Sequence, residues 1–319
     1  CKSGCSLNEG DDNVFLGTSS GACVTSGSCN VFLGFDAGKF TTCGSSNIAI
    51  GPSAGYNSPG GDNNVFLGIG AGRQVSTGEN NIFLGQNSGG QNASAPTTGI
   101  NNISLGRSSG NCLTSGSSNI FLGKYSGTKT TTGCYNIFFG QCTASGDTIT
   151  GDNNIAIGCD AGNKLTSGTD NIFLGQCTGY SIAGGDNNIA IGEDAGKGIT
   201  SGCDNIFLGQ NAGQGNTTGC YNIFFGKLTA GQTTITGGCN IAMGRCAGYK
   251  LTSGCDNVFL GYDAGYNSAD AGKNVFIGQQ AGCTNTSGDS NIAIGCQVSL
   301  PSATGDKQLA IGNGSDRWI

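Results

Sequence analysis

The chain has 319 residues, a formal net charge of −6 and only 11% charged residues, with 61 glycines and no histidine. Glycine near one residue in five, against about 7% in ordinary proteins, argues against a standard globular fold. The charge leaves no basic face for nucleic acid, no run of 18 apolar residues exists to span a membrane, and without histidine neither a Ser-His-Asp triad nor a His-containing zinc site can form. Collagen is excluded by four prolines and the lack of a strict Gly-X-Y period, and a disordered linker by 36% apolar residues at regular positions.

Residues 1–12 read as a lead-in. From Asn13 the pentapeptide N-[IV]-[FA]-[LI]-G, or a close variant, recurs at Asn30, Asn47, Asn64, Asn81, Asn102, Asn119, Asn136, Asn154 and Asn171. It continues at Asn188, Asn205, Asn222, Asn240, Asn257, Asn274 and Asn291, with a degenerate copy at Gln308. Fourteen of the seventeen spacings are 17 residues, two are 18 and one is 21. The long spacing marks an insertion near 91–96 that must bulge outward. Residues 13–312 read as one repeat array, and 313–319 as a C-terminal junction into further sequence.

With the motif asparagine as phase 0, phase 4 is glycine in all eighteen copies, phase 8 in fourteen, and the position three before the asparagine in seventeen. Those columns hold 49 of the 61 glycines. Glycine at fixed offsets marks corners with positive φ or close backbone approach. A 17-residue unit of short strands between such corners cannot bury a core alone but can when coils stack. The expected fold is all-β, a parallel β-solenoid or β-roll of about eighteen coils. At ~4.8 Å per coil it would extend roughly 85 Å. The asparagine column is expected to form a scaffold ladder, each side-chain amide bonding to the next coil.

Alternation along a strand puts phases 1 and 3 on one face and phase 2 on the other. Phases 1 and 3, apolar throughout, are expected to form the interior, with the small phase-7 residues packed against them. Phase 2 then points outward, carrying Phe15, Phe32, Phe66, Phe83, Phe121, Phe138, Phe173, Phe207, Phe224, Phe259 and Phe276. A strand apolar on both faces is buried on both, so these phenylalanines are expected at a subunit interface of an obligate oligomer.

Seventeen cysteines invite a covalent reading. Cys203, Cys220, Cys239 and Cys255 precede four consecutive motifs by one or two residues. Coil spacing permits a bridge, with Cys203–Cys220 the first candidate, whereas free thiols packed as small apolar side chains remain the competing expectation. The aspartates sit beside turns, as turn chemistry explains without catalysis. No enzyme, cofactor or metal site is expected. Calcium between stacked turns would use stretches such as Gly184–Gly196, but the nonapeptide spacing of calcium-binding rolls is missing. Threonines at phase 12, among them Thr25, Thr42, Thr114, Thr166, Thr200 and Thr252, raise an ice-binding alternative.

Units of the form NIAIGxxAGxxxTTGxxNIFLGxxAG, from Asp12 to Gly312, resemble the shafts of phage tail fibres, and the closing GDKQLAIGNGSDRWI resembles the junction into their C-terminal assembly regions. The NxAIG core is also similar to the β-roll head repeats of trimeric autotransporter adhesins, whose period is shorter. The resemblance implies a homotrimeric, structural and adhesive rod on a virion surface or outside the cell. Its partners would be itself, other virion proteins and host surface glycans. Candidate receptor sites are the insertion at 91–98 and the tyrosines Tyr56, Tyr180, Tyr249, Tyr262 and Tyr266.

Overall fold

The computed structural model describes residues 2–231 and 234–319, so Cys1 of the cysteine set lies outside the described residues. The chain groups into two compact units: residues 1–160 with 165–167, and residues 161–164 with 168–319. Both are parallel β-solenoids, and the described residues contain no helix.

The first unit carries β1 (Val14–Leu16), β2 (Val31–Leu33), β3 (Ile48–Ile50), β4 (Val65–Leu67) and β5 (Ile82–Leu84). It continues with β6 (Ile103–Leu105), β7 (Ile120–Leu122), β8 (Ile137–Phe139) and β9 (Ile155–Ile157). Each strand pairs in parallel with the next, motif on motif, as in Val14↔Val31 and Phe138↔Ala156. The 21-residue spacing does not disturb this: Phe83 still faces Ser104, while Asn92, Ala93 and Ser94 stand exposed in a turn closed by Ser94 N–H on Asn92 Oδ1 at 3.0 Å.

The second unit carries β10 (Ile172–Leu174), β11 (Ile189–Ile191), β12 (Ile206–Leu208), β13 (Ile223–Phe225) and β14 (Ile241–Met243). Then follow β15 (Val258–Leu260), β16 (Val275–Ile277), β17 (Ile292–Ile294) and β18 (Leu309–Asn313). These pair in parallel with the same register, as in Phe207↔Phe224 and Ala293↔Ala310. β19 (Asp316–Arg317) folds back antiparallel on the end of β18, where the parallel register stops.

The interior is the reverse of the expectation from alternation. Phase 2, not phases 1 and 3, points into the coil. Phe32, Phe66, Phe83, Phe121, Phe138, Phe173, Phe207, Phe224, Phe259 and Phe276 are all at most 1% exposed, and Phe15, in the first coil, is half-buried. These phenylalanines are core, so they cannot be the subunit interface proposed for them. They stack in pairs on consecutive strands, with ring centroids 5.4 Å apart for Phe15–Phe32 and 5.2 Å for Phe207–Phe224. The reason is room. A strand of three residues turns either one side chain inward or two, and the 17-residue coil already encloses inward columns at phases 7 and 11, which leaves place for one column from the strand.

Two further columns fill the rest of the coil, one small and one aliphatic. Phase 7 contributes buried Ala37, Ala54, Ala71, Ala161, Ala195 and Ala212. Phase 11 supplies a third inward column, with Val24, Val75, Leu113, Leu165, Ile182, Ile199 and Leu251 at 0%. Glycine at phase 8 meets two demands together. Gly213 has φ +59, and a Cβ there would lie 2.7 Å from Cδ1 of Phe207.

The asparagine ladder is internal and nearly continuous within each unit. The backbone N–H of Asn64 donates to Oδ1 of Asn47 at 2.9 Å, and Nδ2 of Asn64 donates forward to the carbonyl of Gly78 at 2.8 Å. The second unit repeats this, with Asn222 N–H on Asn205 Oδ1 at 2.9 Å and Asn205 Nδ2 on the Gly219 carbonyl at 2.8 Å. Phase 0 lies just before each strand, and the ladder satisfies its buried polar groups as a folded chain requires.

Candidate interaction surface

Since phase 2 points inward, phases 1 and 3 form the outer face of each sheet. All 36 residues in these two lanes are aliphatic, aromatic or methionine, and none is buried. In the first unit Leu16 is 69% exposed and Phe139 52%; in the second Phe225 is 49% and Met243 41%. With roughly a third of each side chain open, the eighteen outer residues of one unit present on the order of 1,000 Å² of apolar surface. Typical monomers carry largest patches of about 300–600 Å², and a standard interface covers about 800 Å² per partner.

The strip has a polar rim. On one side, phase −1 residues sit in the left-handed region, as at Asn63 (φ 57), Asn187 (φ 57) and Asp204 (φ 56). Short polar side chains tolerate that conformation. Tyr135 and Tyr221 occupy the same position at φ 58 and 61, 64% and 63% exposed, just before β8 and β13. A bulky residue held there is unusual, and both lie outside the tyrosines singled out from the sequence. Their only signal in the sequence is the run CYNIFFG, which occurs twice, at 134–140 and 220–226.

Phase −2 is a column of side-chain acceptors. Asp62 Oδ1 takes the Ser45 N–H at 2.7 Å and Asp186 Oδ1 the Thr169 N–H at 2.7 Å. Cys220 belongs to this column: its Sγ takes the Cys203 N–H at 3.1 Å, and Cys134 Sγ takes the Ser117 N–H at 3.3 Å. Cys203 and Cys220 therefore stand on consecutive coils as free thiols. The Asp186 backbone hydrogen bond pulls the Cys203 thiol down, yet burial with the nearby Cys220 and Asp186 raises it overall. The four-cysteine ladder splits, because Gly238 holds phase −2 in the next coil and Cys239 falls at phase −1 (φ 59).

The phase-12 threonine hydroxyls are engaged along the stack. Thr25 Oγ1 donates to the Thr42 carbonyl at 3.1 Å, and Thr114 Oγ1 to the Thr131 carbonyl at 3.0 Å. Their protons are thereby withdrawn from water. Among the described residues no three Cys, Asp or Glu side chains gather in a group that could hold a metal ion, and no helix is long and apolar enough to cross a membrane.

The tyrosines singled out from the sequence lie beyond the strands, Tyr262 at phase 5 and Tyr56, Tyr180, Tyr249 and Tyr266 at phase 9. Tyr56 is flanked by Lys39 and Arg73, 5.6 and 5.4 Å from its centroid. Tyr180 lies under Lys164 and the 42%-exposed Tyr262 under Arg245. Tyr249 and Tyr266 stack on each other at 4.9 Å. The polar loop at 91–98 is anchored at its base by Gln91 Nε2 on the Gly70 carbonyl and by Thr97, which turns inward and donates to the Leu113 carbonyl at 2.8 Å. No family model matches the chain, and no curated protein is similar to it by sequence.

Proposed function

We propose that this chain is a structural and adhesive fibre segment, a tail-fibre shaft or surface adhesin, that works as a homotrimer on a virion surface or outside the cell. The observation that carries the reading is the outer apolar strip. No charge interrupts it in the eighteen outer positions of either unit, and its polar rim gives it the anatomy of an interface core. Its occupant is a further copy of the same chain. A surface repeating once per coil is matched along its length only by one with the same repeat, and the chain itself provides that. The weakly charged Asn, Ser, Thr and Tyr edges remain for host attachment, in keeping with the resemblance to fibre and adhesin repeats. Sedimentation equilibrium at micromolar concentration tests this: three times the mass of 31.8 kDa is expected. A monomer at that concentration would reject the reading.

A further inference from the structure

We propose that the corner formed by Asp263, Tyr266, Asn267, Gln280 and Cys283 is a subsite for one neutral pyranose ring. This deepens the adhesive part of the proposed function and rests on it. The five residues line a crevice of about 160 Å³ between the β15 and β16 coils. The crevice is open to solvent on one side, so a ring can lie against the tyrosine face with its hydroxyl edge at the rim.

The crevice has a simple origin in the sequence. Phase 9 reads Tyr249, Tyr266 and Cys283 in three consecutive coils. The two tyrosine rings stack at 4.9 Å with 14° between planes. At the third coil the ladder meets a thiol, much shorter than a phenol, and the missing ring leaves space on the Cys283 side of Tyr266. Tyr266 is thereby a floor already held in place by Tyr249. Asn267 Nδ2 donates to the Cys283 carbonyl at 2.7 Å, which fixes one wall. Burial pushes the Cys283 thiol up, so it meets the crevice as a neutral S–H.

The rim decides the class of ring. Gln280 Oε1 accepts from Gln297 Nε2 at 3.3 Å, which leaves the Gln280 amide protons for a ligand. Among the described residues the Asp263 carboxylate has no hydrogen bond or ion pair. An aromatic face flanked by an uncommitted acceptor and an uncommitted donor suits a ring with a C–H face and a hydroxyl edge. A plain apolar ring would leave Asp263 and Gln280 unpaired. An acidic sugar or phosphate would meet the Asp263 charge. The lone carboxylate also admits a quaternary ammonium, which the test separates.

Saturation-transfer NMR on the full chain, with the methyl α-glycosides of glucose, galactose and mannose as probes, tests the site. Transfer to ring C–H protons is expected for at least one, with millimolar affinity on the order of what one small ring provides. Tyr266→Ala should weaken it about three- to tenfold. Cys283→Tyr, which supplies the missing ring at a position where tyrosine already stands in the two preceding coils, should abolish it. Tyr180→Ala, at the same phase in another coil, should leave it unchanged. No transfer with any probe, or transfer that survives Cys283→Tyr, overturns the proposal. Displacement by tetramethylammonium together with loss in Asp263→Asn would make it a cation site and overturn it equally. Sedimentation of the same variants is expected to be unaltered, because the crevice lies off the apolar strip. A monomeric wild type would therefore fail the fibre reading without deciding the crevice.

Discussion

Oδ1 of Asn188 accepts two hydrogen bonds from Asn205, one from its backbone N–H at 3.2 Å and one from its Nδ2 at 3.0 Å. Both residues are fully buried, so the pair closes polar groups that water cannot reach. Asn188→Ala would orphan the Asn205 N–H and take away the donor to the Gly202 carbonyl. The expected cost is about 2–4 kcal/mol, read as a lowered thermal midpoint. Amide exchange should accelerate first at Asn205, since stacked coils lose order locally before they unfold as a whole.

Phe207→Ala removes a fully buried ring that stacks on Phe224 at 5.2 Å. The interior cannot close on the space, because Gly213 and Ala212 opposite it already carry minimal side chains. Destabilisation of about 3–5 kcal/mol is expected, with Phe207→Leu giving a smaller but measurable loss. Chemical denaturation compared with Ile206→Ala, on the outer face of the same strand, checks the assignment of inside and outside. Equal effects at the two positions would contradict it.

On the outer strip the reverse pattern is expected. Ile191→Glu, at a 40%-exposed position, should leave the circular dichroism spectrum and the single-chain fold unaltered. A charge set into an apolar interface costs association at least tenfold, and sedimentation velocity should show dissociation at concentrations where the native chain stays assembled.

Two glycines separate strain from open space. Gly213→Ala forces a side chain into φ +59 and against Phe207, so a loss of about 1–3 kcal/mol is expected. At Gly60 an added Cβ would meet only Cys43 Sγ at 3.8 Å, an ordinary contact, and Gly60→Ala should be neutral within about 0.5 kcal/mol. Thermal midpoints of the two variants make the comparison.

Thr252 Oγ1 at 2.6 Å and Ser253 Oγ at 2.9 Å hold the Asp270 carboxylate below its ordinary pKa. A carboxylate depressed in the folded state stabilises it above the unfolded pKa, and that contribution is lost as pH falls through the folded value. Asp270 is exposed, so the effect is small. Thr252→Val should therefore lose this small contribution at neutral pH and, with less left to lose, show a slightly flatter acid limb below pH ~4, so that the variant and the native chain converge in acid; denaturation curves at the two pH values give the comparison.

The sequence alone determined the coil. Asparagine at phase 0 and glycine at phases 4 and 8 answer local demands: a buried amide ladder, and backbone at φ +125 to +142 or near +58 that side chains resist. Those demands recur in most copies, and glycine at phase 4 in all eighteen, so the parallel register and the outward insertion at 91–96 were legible in the sequence. Which face of the strand is inside was not. Alternation has a period but no sign, and with both faces apolar at Ile206-Phe207-Leu208 either could have been the core. Only the closed coil decided it: between the glycine and alanine corner at Ala212–Gly213 and the buried phase-11 column at Ile199, the strand has place for one inward side chain, Phe207 fills it, and Ile206 and Leu208 are turned to the surface.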